Sequence, residues 1–193
     1  MSSAPKILAF AGTTRTDAFN KKLIRVAAAA AREAGGDVTL IDLRDLPMPL
    51  YDGDLEAKEG IPPNAMKFKE LMLAHRGLMI STGEYNSSVT GVLKNAIDWA
   101  SRSSPGEAEL ACYKDKVVAL LAASPGMLGG MRAMMAVRSI LGNIGALVIP
   151  EQLALGRAHE AFEADGALKD PKRAASVAKV ASALVRLLSK LES

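Results

Sequence analysis

Short apolar runs recur along the chain, each followed by a polar break bearing glycine or proline. Residues 6–11 (KILAFA) are apolar without alternation, as in a strand buried on both faces. Residues 37–43 (DVTLIDL), 77–81 (GLMIS), 116–123 (KVVALLAA) and 146–149 (ALVI) read the same way, the last stopped by Pro150. Between these runs the apolar positions recur at helical spacing. Residues of about 20–34 carry Leu23, Ile24, Ala27, Ala31 and Ala34 on one side and stop at Gly35-Gly36. Pro62-Pro63 opens a second helix with Met66, Leu71, Met72 and Leu73 inward. Val92, Leu93, Ala96, Ile97 and Trp99 mark a third, and residues 131–141 form a Met-rich fourth. Asp170-Pro171, a cap followed by a first-turn proline, opens the last, which aligns Val177, Val180, Leu184 and Leu188. Residues 46–63 hold four prolines and read as an irregular surface connection. Residues 103–115 read as a polar loop, and 152–166 as a loop with a short helix.

Strands alternate with helices, and neither a repeat nor a linker interrupts them. That alternation predicts an α/β fold with a parallel sheet covered on both faces. Right-handed crossovers leave few topologies. The flavodoxin-like three-layer sandwich, a five-stranded sheet of order 2-1-3-4-5, fits best, as one domain over residues 1–193.

Composition narrows the partners. A net charge of +3 and a pI near 9.0 suit phosphorylated ligands. No basic run or basic-aromatic interleaving points to nucleic acid. The single cysteine, Cys112, excludes an internal disulfide and a CxxC pair, and two histidines do not make a metal cluster. The N-terminal residues lack a signal-peptide core, and no apolar run is long enough to span a membrane. The expected setting is the cytoplasm.

The chemistry lies in three loops at the carboxyl ends of the first, third and fourth strands, neighbours in this sheet order. In the first, residues 12–20, Thr13, Thr14 and Thr16 offer hydroxyls, Arg15 a forked cation and Asn20 an amide. The N–H groups of the next helix add their pull on an anion. Neither G-x-G-x-x-G nor G-K-[ST] is present, so the loop is for neither a dinucleotide nor ATP. It suits a terminal phosphomonoester such as that of FMN, with a capped, solvated turn as the alternative. The second loop, residues 81–90, is dense in Thr, Gly, Asn and Ser and offers polar backbone to something flat. The third, residues 124–130 (SPGMLGG), is glycine-rich.

At these residues the chain resembles the NADPH-dependent FMN reductase family, which includes quinone, azo-dye and chromate reductases. The family's G-S-x-R-x-x-S-x-N appears as GTTRTDAFN over residues 12–20. Its P-x-Y-N-x-S-x-x-G-x-L-K-N-A-I-D-W appears as GEYNSSVTGVLKNAIDW over residues 83–99. The resemblance implies that Thr13, Arg15 and Asn20 hold the FMN phosphate. It implies that Glu84, Tyr85, Asn86 and Ser87 line the isoalloxazine ring, largely through backbone atoms. Ser124, Gly126, Gly129 and Gly130 would form the far side of the pocket. It further implies hydride transfer from NADPH or NADH to FMN. A quinone, azo compound, metal oxyanion or free flavin would then be reduced in the same space, by ping-pong kinetics in a homodimer or homotetramer. No catalytic side chain is expected, because the cofactor carries the chemistry.

Three positions depart from the pattern. Ala18 replaces a phosphate-binding Ser, removing a hydrogen bond worth roughly 1.5–3 kcal/mol. Gly83 and Thr90 stand where proline is common, and both changes are expected to loosen the ring loop. The alternatives are a flavodoxin-type electron carrier, against which the basic pI speaks, and a binding protein that has lost catalysis. Lys94, Asn95, Asp98 and Trp99 read as structural, with Asn95 tying its helix to a neighbouring loop. The methionines of residues 127–135 read as packing, His75 as a satisfied histidine and Cys112 as inert.

Overall fold

The computed structural model describes residues 4–191. Strands β1 (Lys6–Ala11), β2 (Asp37–Asp42) and β3 (Gly77–Thr82) belong to one sheet. A two-stranded hairpin follows β3, formed by β4 (Glu84–Tyr85) and β5 (Ser88–Val89). Strands β6 (Val117–Ala123) and β7 (Leu147–Leu155) complete the main sheet. Its order is β2-β1-β3-β6-β7, parallel throughout, which is the expected 2-1-3-4-5 arrangement counted over its own strands. Successive side chains of a strand point to opposite faces. Ile7, Ala9 and Ala11 accordingly join one apolar core, and Leu8 and Phe10 the other.

The first core lies under α1 (Phe19–Glu33) and α6 (Pro171–Leu191). Buried Ala27, Ala28 and Ala31 let α1 sit close on the sheet and on α6. The second lies under α3 (Pro63–Ala74), α4 (Gly91–Ala100) and α5 (Met131–Asn143). Among the described residues no helix is long and apolar enough to cross a membrane.

Three local expectations are corrected. Pro150 does not end the last strand: β7 runs on to Leu155, with a bulge opposite Val118–Leu120. On an edge strand the missing proline N–H costs little, and Arg138 donates to the Val148 and Ile149 carbonyls at 3.2 and 2.7 Å. Residues 46–63 are not wholly irregular, since they hold α2 (Gly53–Glu59), capped by Asp52. Residues 81–90 are not an open loop, since they contain the β4–β5 hairpin.

The long connection is fastened to α4. Asn95 accepts from the Tyr51 N–H and donates to the Pro49 carbonyl, both at 2.8 Å, as its assignment to structure requires. Trp99, fully buried, donates to that same carbonyl. His75 is satisfied by Leu71 and Thr39, and burial pushes the Cys112 thiol up to about 11.

Candidate functional site

The loops leaving β1, β3 and β6 meet because those strands are neighbours. They enclose a cleft of about 100 Å³, and Thr13, Arg15, Asn20, Glu84, Tyr85 and Ser124 line it. Phe19, Ala123 and Pro125 line it too, and no polar or glycine signal marks them in the sequence. Asn86 and Ser87 sit at the hairpin turn. Gly126, Gly129 and Gly130 are not among the lining residues.

The cleft is built on the start of α1. Ala18 occupies the N-cap with no side-chain acceptor, and the first turn carries no acidic residue. Among the described residues, the Phe19 and Asn20 N–H groups find no acceptor and the Arg15 guanidinium no partner. Unpaired N–H groups at the positive end of a helix, beside a free guanidinium, favour a small dianion.

Thr16 and the Thr14 backbone are engaged elsewhere. Thr16 Oγ1 accepts from Arg44, and the Thr14 carbonyl accepts from Lys21 and Arg44 at 3.5 Å each. Lys21 also pairs with Asp42 at 2.6 Å, so Asp42 is spent on bracing the loop from outside. Asn20 is largely committed to the scaffold. Its amide exchanges two hydrogen bonds with Ala123, at 2.9 and 2.8 Å, and accepts from Ser81 Oγ at 2.9 Å. One side chain thereby joins the ends of β3 and β6 to α1.

The hairpin turns through Asn86 (φ 50) and Ser87 (φ 65), the two left-handed positions of a type I′ turn. Its Glu84 reaches sideways to α5. The carboxylate accepts from Arg132 at 2.6 and 3.0 Å and from the Ala133 N–H at 3.1 Å. Burial would raise the Glu84 carboxyl, but these donors outweigh it and hold it below the usual carboxylate range. Only the backbone of Glu84 is left for a ligand, whereas Tyr85 is 59% exposed.

Packing alone accounts for two of the loop glycines. A Cβ on Gly129 (φ +63) would stand 2.6 Å from the Gly156 nitrogen, and one on Gly130 (φ +90) 2.9 Å from the Ala122 Cβ. Of the methionines, Met134 is core, while Met127, Met131 and Met135 are exposed, the last two on α5, which packs against the hairpin.

The sequence pattern of the NADPH-dependent FMN reductase family matches residues 5–160. The chain belongs to this family. Over 174 residues it is 37% identical to an NAD(P)H-dependent FMN reductase of Pseudomonas aeruginosa, covering 89% of each chain. A quinone reductase of Pseudomonas putida is 33% identical over 175 residues, covering 90% of this chain and 89% of its own. Among solved structures, the NAD(P)H:acceptor oxidoreductase FerB of Paracoccus denitrificans superposes with a TM-score of 0.82. It is 28% identical and covers 97% of this chain and 98% of its own. The reductase is thus an oxidoreductase of the FMN- and NAD(P)H-dependent kind. The uncapped helix, the Thr13 hydroxyl and the free Arg15 are a donor set that fits the FMN phosphate.

Proposed function

We propose that this cleft binds FMN and that the reductase passes two electrons from NADPH or NADH to quinones, azo compounds, metal oxyanions such as chromate, or free flavin. The observation that carries the reading is the start of α1, where Ala18 leaves first-turn N–H groups without a cap beside the unpartnered Arg15. A phosphate placed there is itself the missing cap, which offsets the hydroxyl that Ala18 lacks. Thr13 and Arg15 would hold the phosphate, and the Asn20 amide has a second N–H left for it beyond the one given to Ala123.

Bound FMN supplies hydride acceptance and onward transfer. Backbone groups of Glu84, Tyr85, Asn86 and Ser87 would hold the ring edge and Ser124 the opposite wall, with Gly126, Gly129 and Gly130 shaping the loop behind it rather than the wall itself. Donor and acceptor would share one open face beside the exposed Tyr85, which gives ping-pong kinetics. A cleft of about 100 Å³ accommodates the phosphate end but not the ring, since ligand pockets usually measure about 300–1,000 Å³. The ring would extend beyond the cleft, where a second copy would cover it in a homodimer or homotetramer. The reduced, buried Cys112 suits a cytoplasmic setting.

Purified protein should show a flavin spectrum, or acquire one on FMN addition, and bleach with NADPH under argon. Arg15→Ala should weaken FMN binding by about 1.5–3 kcal/mol, the value of a hydrogen bond to a charged group. A variant that retains FMN as tightly as wild type places the phosphate elsewhere.

A further inference from the structure

Gly83 and Thr90 bracket the hairpin, and the structure puts them in contact. A Cβ added at Gly83 would stand 2.9 Å from Thr90 Cγ2, 3.7 Å from Asn20 Nδ2 and 3.8 Å from the Gly12 carbonyl oxygen. Thr90 is 1% exposed, and its hydroxyl is used in both directions. It accepts from the Leu93 N–H at 3.2 Å, which caps α4, and donates to the Gly12 carbonyl at 2.7 Å. Among the described residues that buried carbonyl has no other donor. Gly12 itself lies under α4, where a Cβ would meet Leu93 Cβ and Cδ2 at 2.9 Å. Gly12, which follows β1 and opens the phosphate loop, is therefore fastened to Thr90, which follows the ring hairpin.

We propose that Gly83 and Thr90 form a matched pair that latches the ring-holding hairpin to the phosphate loop, making Thr90 a positioning residue for FMN. The inference rests on the FMN reading above. Two prolines would stiffen this hairpin through the backbone. Here the same end is reached by one buried hydrogen bond between loops, and Gly83 is small because the Thr90 methyl group occupies its Cβ space. The two departures from the family pattern are one coupled change, and the second tightens the loop rather than loosening it. A phosphate site and a ring site on separate loops bind one ligand well only when their spacing is fixed beforehand.

Two measurements test the pair. The first is titration of the FMN-free protein with FMN, followed by quenching of flavin fluorescence. Thr90→Val, isosteric but without the hydroxyl, should bind about tenfold more weakly, and Thr90→Ser should bind within about twofold of wild type. Thr90→Ala carries this titration if the valine form does not fold. The second is melting of the FMN-free proteins. Gly83→Ala should lower Tm markedly in the wild type and much less in a Thr90→Ser background, because the serine removes Cγ2. Wild-type protein that takes up no FMN overturns the FMN reading and, with it, the flavin-positioning role. Wild type that binds while Thr90→Val binds equally well overturns the positioning role alone. An equal Gly83→Ala penalty in both backgrounds overturns the pairing.

Discussion

Lys69 is 1% exposed on α3, a position its charge gives no reason to place inside. Its ammonium donates to the Arg102 carbonyl and pairs with Glu107 at 2.7 Å. The second carboxylate oxygen of Glu107 is buried without a partner among the described residues. Burial by itself would raise the Glu107 carboxyl, but Lys69 and the Ser104 N–H outweigh it and hold it below the usual carboxylate range. Lys69→Met strands that carboxylate and should cost about 3–5 kcal/mol at neutral pH, read by urea denaturation. A depressed carboxyl contributes stability above its unfolded pKa and loses it as pH falls through the folded one. In the variant the carboxyl has lost its cation and its pKa rises, so the gap between the two proteins should narrow on acidification. A gap independent of pH would mean that Lys69 acts through packing alone. None of this was legible in the sequence, because Glu107 lies 38 residues away on a loop. The same holds for Asn20, Glu84 and Thr90: their residue types announced polar work, and only the distant partner reveals which work it is.

At the scale of elements the apolar runs were legible wherever burial on both faces made them continuous, as in β1, β3 and β6. They failed where a local rule was overridden. Pro150 is tolerated because β7 is an edge strand with Arg138 supplying the donors its bulge needs. The hairpin is too short for periodicity to register, with two residues in each strand. Its turn also lacks the Asn-Gly pair that signals type I′, because Ser87 holds the second left-handed position. A non-glycine residue there costs about 1–2 kcal/mol, partly offset by the entropy glycine adds to the unfolded chain. Ser87→Gly should therefore stabilise the FMN-free protein by about 0.5–1 kcal/mol in chemical denaturation. A destabilised variant would show that the Ser87 side chain makes up its backbone strain.

For the whole molecule, the sheet order is what turns three loops far apart in sequence into one cleft, and that order was the best fit among the few that alternation and handedness leave. The outer side of the cleft was not legible, because helical spacing reads the same whether a methionine faces a core or water. Met134 faces the core, while Met127, Met131 and Met135 face out, at 84%, 46% and 52% exposure. Met131 and Met135 lie on α5, which packs against the hairpin that carries the exposed Tyr85, and exposed apolar side chains on neighbouring elements mark a contact surface. The cleft is too small to enclose the ring, so the ring would extend beyond it. A second copy seated on this face of α5 would bury the methionines and close the ring's outer side in one step. Replacing Met131 and Met135 together by Glu places two charges in that contact without touching the phosphate loop or the α1 N-terminus. Light scattering should then find wild-type protein as a dimer or tetramer and the double variant as a monomer. The monomer should still take up FMN, more weakly and with flavin fluorescence closer to that of free FMN, because the ring edge is left in water. An oligomer that survives both substitutions would place the subunit contact on another face and leave these methionines to the electron acceptor.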